Sequence, residues 1–180
     1  MPSYITGIIL AGMFISKKLL KIQIIFSIVF HVLFSFQIIF YLVPIKSDDT
    51  WVGWKELAIE TTKLQEKYPN TFVFSDDNYK TSACLNFFMD DKVYAQNIIG
   101  LPALHFDYLG DDLTSLNNKN ALFIESDKRF KDRKLKGEIN PLLGKYFEKV
   151  TELTPIIIKI NGKESRKFWV FYCTKYQHKK

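Results

Sequence analysis

The sequence predicts an α/β protein. One transmembrane helix, plus part of another, stands at the N-terminus, and a small extracytoplasmic α/β sandwich domain ending in a β-hairpin follows. Three observations carry this prediction. Residues 22–45, reading IQIIFSIVFHVLFSFQIIFYLVPI, contain no Lys, Arg, Asp or Glu. Residues 71–95 read as strand, helix and strand, the order of a βαβ unit. Near the end, Asn161-Gly162 lies between two strand-like runs, which is a strong hairpin signal.

The uncharged run would span ~36 Å as a helix, against a hydrocarbon core of ~30 Å. Within it Gln23, Ser27, His31 and Ser35 recur at every fourth position and form one polar stripe. In lipid such a stripe is turned toward other helices, where its dipoles find partners. His31 reads either as a functional ionisable group or as a neutral imidazole bonded to a neighbouring helix. Ahead of this run, residues 4–15 are apolar but too short to span, and they look like the end of a membrane helix. Residues 16–21, with Lys17, Lys18 and Lys21, then form a loop that the positive-inside rule places in the cytoplasm. The helix over 22–45 therefore runs outward, and residues 46–180 form the extracytoplasmic domain.

The charge balance excludes a nucleic-acid partner. The chain carries 25 Lys and Arg against 19 Asp and Glu, but three of the lysines flank the apolar run. That leaves the domain with 22 basic and 19 acidic residues, close to neutral. The densest basic run, Lys128 to Lys136, is broken by Asp132 and reads as a solvated face. Cys84 and Cys173 lie far apart without metal-ligand spacing, so a zinc site is not expected. Two buried thiols are the expectation, with a disulfide allowed outside the cytoplasm.

After a polar link at residues 46–50, Trp51, Trp54, Leu57, Ala58, Thr61 and Leu64 mark one face of a helix that ends before Pro69. Thr71 to Ser75 reads as a strand. Asp76 or Asp77 can cap a second helix carrying Tyr79, Ala83, Cys84, Phe87 and Phe88, and Val93 to Ala95 reads as the next strand. Residues 97–120, rich in Gly, Asp and Asn, are expected to be a long loop. Ala121 to Glu125 is a buried-type strand, and Pro141 to Leu143 a single helical turn. Pro155 to Ile160 and Phe168 to Cys173 are the closing strands, with a connection from Asn161 to Arg166 longer than the ideal two residues.

No nucleophile elbow, phosphate loop, HExxH helix or dinucleotide turn occurs, so no catalytic residue and no metal ligand is assigned. Asp76, Asp77 and Tyr79 follow the first strand, and Ser126 and Asp127 end the third. In open α/β sheets ligands usually bind at this carboxyl edge. Carboxylates and hydroxyls there could hold a sugar, whereas helix capping by Asp76 and Asp77 is the plainer reading.

GWKEL (residues 53–57), TFVFSDDNYKTSACLNFFM (residues 71–89), His105-Phe106-Asp107-Tyr108 and NALFIES (residues 120–126), in this order after the lysine loop and the membrane helix, are familiar. Together they resemble the C-terminal end of the bacterial dolichyl-phosphate-mannose-protein mannosyltransferase-like family, which is related to aminoarabinose transferases. The resemblance implies multi-span C-type enzymes that move a sugar from a polyprenyl-phosphate carrier to an acceptor outside the cytoplasm, often with a divalent metal. It adds Asp107 to the candidate sugar-binding residues. The family's catalytic acidic residue, in its first extracytoplasmic loop, has no counterpart here, so none is carried over and no cofactor is expected in this chain. On this resemblance the chain is the terminal part of such an enzyme in the bacterial inner membrane. Its partners would be the bilayer, other transmembrane helices and a lipid-linked sugar, and its domain would cap the active-site mouth without turning over by itself. The competing expectation is a stand-alone anchored binding or assembly module.

Overall fold

The computed structural model describes residues 7, 12, 14–43, 51–127 and 140–179. The chain divides into two compact units, residues 1–43 and 44–180. The polar link at 46–50, the basic run at 128–136 and most of the expected partial helix at 4–15 lie outside the described residues.

The first unit holds α1 (Lys17–Phe40), 24 residues long. It begins earlier than the sequence suggested because Ser16 caps it, its hydroxyl accepting from the Leu19 amide at 3.3 Å. Lys17, Lys18 and Lys21 thus belong to the first turns of the helix and not to a loop, which suits lysine's good helix propensity. It ends earlier too. Tyr41 turns into the left-handed region at φ 45°, with its amide bonded to the Gln37 carbonyl. The Gln37 side chain then clamps the exit, donating to the Val43 carbonyl at 2.7 Å and accepting from its amide at 2.9 Å. Residues 41–43 are therefore outside the helix, and residues 44 and 45 lie outside the described residues. The uncharged helical part from Ile22 to Phe40 still measures ~28 Å. Among the described residues α1 is the one helix long and apolar enough to cross a membrane.

The second unit is a mixed α/β domain built on one six-stranded sheet. Its elements are α2 (Trp54–Lys67), β1 (Thr71–Ser75), α3 (Lys80–Phe88), β2 (Val93–Tyr94), β3 (Asn120–Ser126), α4 (Leu143–Tyr146), β4 (Phe147–Glu152), β5 (Ile156–Ile160) and β6 (Lys163–Tyr176). β1 pairs in parallel with β2 and with β3, so strand, helix and strand do form a βαβ unit. β6 runs antiparallel to β3 on one side and to both β4 and β5 on the other, placed end to end along its 14 residues.

Two departures from expectation concern this last region. β4 was not foreseen, because FEKVTE carries three charges and buries only Phe147 fully, the pattern of a solvated edge strand. The hairpin between β5 and β6 is also tighter than expected. Ile160 pairs directly with Lys163, leaving a two-residue turn in which Asn161 (φ 52°) and Gly162 (φ 75°) are both left-handed. That conformation matches the twist of the flanking strands and is what Asn-Gly favours. Residues 163–166, expected in the connection, are the start of β6, and a bulge opposite Ile158 and Lys159 takes up Ser165.

Side-chain alternation splits the core into two faces. Val73, Leu122, Ile124, Phe168 and Val170 meet Trp54, Leu57 and Ala58 of α2 and Leu85 of α3. Phe72, Phe74, Ala121, Phe123, Trp169, Phe171 and Cys173 point the other way, toward Ile98, Ile99, Leu116 and Leu143. Burying each large ring of this second face contributes about 2 kcal/mol. The segment expected as a long loop supplies much of that cover through the 3-10 turns Gln96–Ile99 and Leu113–Leu116, while the turn Leu104–Tyr108 packs Phe106 in a separate small cluster with Ala95 and Ala103. Both cysteines are free. Cys173 is buried, as expected, but Cys84 is only half-buried at the margin of the opposite face.

Candidate functional site

The parallel trio β2, β1 and β3 gives the sheet a carboxyl pole and an amino pole, and the residues expected to bind a ligand gather at the first. Asp77 stands where β1 turns into α3. Its carboxylate accepts from the Thr81 amide at 3.1 Å and the Thr81 hydroxyl at 2.6 Å, and from the Ser75 hydroxyl at 3.1 Å. Capping accounts for the Thr81 bonds, and the Ser75 bond ties the carboxylate back to the strand before it. Ser75 in turn bonds Ser82 of α3 at 2.7 Å, which ties the strand end to the helix it precedes.

Asp76 points to the opposite side and accepts from the Asn140 amide at 2.9 Å, just ahead of the Leu142 and Leu143 turn. Asp127, past the end of β3, is almost fully buried. It accepts from the Trp169 indole at 3.2 Å and lies 3.8 Å from the Lys167 ammonium, itself buried. The same ammonium sits 4.2 Å over the Trp169 ring. Ser126 is held in the ladder opposite Phe168.

Tyr79 is half exposed and meets the His105 ring edge-on at 5.6 Å, which brings the 104–108 turn to the start of α3. Asp107 in that turn accepts from the Ala103 amide at 2.7 Å. Behind it the buried Gln96 exchanges hydrogen bonds with Asn78 at 3.1 Å each way and donates to the Pro102 carbonyl. Sequence reading missed Gln96, a polar residue between the strand expected at 93–95 and the loop expected from residue 97. The pole therefore assembles the expected residues, but sets them to hold strand, helix and turn together. Near it, burial pushes the Cys84 thiol up, against the pull of Arg166 and Lys80.

On α1, the stripe is largely satisfied within the helix. His31 Nδ1 lies 2.6 Å from the Ser27 carbonyl, and the Ser35 hydroxyl donates to the His31 carbonyl at 2.8 Å. His31 and Ser35 also line a shallow pocket with Val32, Phe36, Ile39 and Phe40. Gln23 lies on the same helix face, two turns before His31.

The amino pole carries a feature the sequence did not announce. A groove of about 500 Å³ opens where β1, β2 and β3 begin. Gln65 of α2, Asn70 and Thr71, Asp91 and Lys92, and Lys119 supply its polar wall. Phe72 and Tyr94 supply its apolar part, meeting edge to face at 5.6 Å, and Leu116 closes it. Lys92 is paired with Asp111. Burial pushes the Tyr94 hydroxyl up, only partly offset by Lys92.

Among the described residues no three His, Cys, Asp or Glu side chains gather closely enough to hold a metal ion. Comparison with protein-family models, with curated proteins and with solved structures returns no match.

Proposed function

We propose that this chain is a membrane-anchored α/β domain serving as the terminal part of a polyprenyl-phosphate-sugar-dependent glycosyltransferase in the bacterial inner membrane. Its soluble domain lies outside the cytoplasm, as a sandwich of helices on sheet, and caps the active-site mouth, while catalysis belongs to other membrane segments. The observation that carries the reading is α1, an apolar helix of 24 residues with lysines only in its first turns, ahead of a separately packed domain. Lysines at that end favour a cytoplasmic start. The polar face from Gln23 to Ser35 supports association with further helices, including the groups of His31 and Ser35 that line the shallow pocket.

A photo-crosslinking residue in place of His31, in living bacteria, tests this. Capture of another transmembrane subunit of a sugar transferase is expected. Capture of the lipid alone, or of a second copy alone, would overturn it. The side of the membrane is tested separately by Asn118→Cys and an impermeant maleimide, with labelling of intact cells expected and labelling only after lysis counting against the reading. The second reading, a stand-alone anchored binding module without catalysis, is favoured by one specific observation: Asp77, Asp107 and Asp127 all accept hydrogen bonds from within their own domain.

A further inference from the structure

We propose that the groove at the amino pole binds a sugar ring carrying one anionic group. The inference goes beyond the transferase reading and does not rest on it, since it uses only the groove's own side chains. The volume, about 500 Å³, is that of a small-molecule site. Its polar wall mixes donors and acceptors. The amides of Gln65 and Asn70 offer both, the carboxylate of Asp91 accepts, and the lysines donate. A hydroxyl is donor and acceptor at once, so a polyhydroxylated ring can satisfy such a wall. An apolar ligand would leave these groups desolvated and unpaired.

The wall is also uncommitted. Gln65 Nε2 reaches the Thr71 carbonyl at 3.3 Å and Asp91 at 3.4 Å, both at the long limit of hydrogen bonding. It can turn to a ligand at little cost. Among the described residues the side chains of Asn70 and Lys119 make no hydrogen bond or ion pair. Below them the Tyr94 and Phe72 rings offer apolar surface for the C–H face of a sugar, as amphipathic rings do at binding sites.

Charge sets the class more closely. Lys92 is neutralised by Asp111, and the four charges Asp91, Lys92, Asp111 and Lys119 sum to zero. A polyanion such as a nucleic-acid backbone gains no net attraction here. One negative group can pair with Lys119 while its hydroxyls meet Asp91 and the amides, which describes a hexose phosphate or a hexuronate.

The full chain in lipid nanodiscs, probed by saturation-transfer NMR with glucose 1-phosphate, glucuronate and glucose, tests this. Both anions are expected to bind about tenfold more tightly than glucose. Lys119→Glu should erase that preference, and Tyr94→Ala should abolish transfer to all three. Tyr94→Phe, which keeps the ring packing, should retain binding, so a fold defect in the alanine variant would be recognised. Lys159→Glu on the exposed hairpin should change nothing. Absence of transfer to all three sugars at about 10 mM would overturn the proposal. So would transfer that survives Lys119→Glu and Tyr94→Ala together, or displacement by inorganic phosphate as effective as by glucose 1-phosphate.

Discussion

At the carboxyl pole of the sheet, Asp77, Asp107 and Asp127 accept hydrogen bonds from amides, two hydroxyls and an indole of their own domain. At the amino pole, Asn70 and Lys119 line an open groove without such partners among the described residues. The comparison teaches that residue type alone does not mark a binding edge. A carboxylate at a strand end is equally suited to cap the next helix, and the geometry of that helix decides which role it takes.

The largest expected effect is at Asp127. Asp127→Ala leaves the Trp169 indole without this acceptor and removes one carboxylate from beside the Lys167 ammonium, so a loss of about 2 kcal/mol in unfolding free energy is expected by denaturant titration. A loss under about 0.5 kcal/mol would put the carboxyl pole on the same footing as the groove rim.

Next is a pH effect at the amino pole. The Tyr176 hydroxyl donates to the Ile98 carbonyl at 2.9 Å, and burial, reinforced by Tyr146, pushes its pKa up to about 12. A tyrosine whose folded value lies above the ordinary value of 10 stabilises the fold fully below pH ~10. That contribution is lost as the pH rises from ~10 toward ~12. Thermal melts across this window should therefore fall, and in Tyr176→Phe the fall should be shallower. An equal slope in both would remove Tyr176, whose ring meets Phe72 of the groove edge-on at 5.7 Å, as the source of the fall.

Asp77→Ala should cost about 1 kcal/mol, the worth of a helix cap, while Asp77→Asn recovers most of it. Equal losses in the two would point to a need for charge at that position. The smallest effect is expected at the groove rim, where Lys119→Ala should change stability by less than about 0.5 kcal/mol. A larger change would mean that the amino pole, too, is part of the scaffold.

How much of this was legible in the sequence follows from where the information sits. α2, β1, α3 and β3 declare themselves because each buries a contiguous or periodic apolar set, such as Ala121 to Ile124. The bounds of α1 were misplaced at both ends, since Ser16, Tyr41 and Gln37 set them through local hydrogen bonds that hydropathy does not register. β4 was hidden because an edge strand needs few apolar residues. Of the candidate site residues, Asp77 takes the capping role that was the plainer reading of the sequence, whereas Asp76 accepts from Asn140, a partner 64 residues on that local sequence does not point to. The groove was not legible, because its wall draws on separate stretches from Gln65 to Lys119 that only folding brings side by side.

The junction ahead of α2 has a mechanical consequence. The Arg166 guanidinium lies 3.6 Å over the Trp54 ring and reaches the Val52 carbonyl at 3.4 Å. Between them Gly53 sits at φ +86°, where an added Cβ would come within 2.9 Å of Ile158. The start of α2 is thus riveted to β6, the strand bonded to β3, β4 and β5 at once. Strain entering the domain at Val52 is spread over several strand ladders before α2 can be peeled from the sheet.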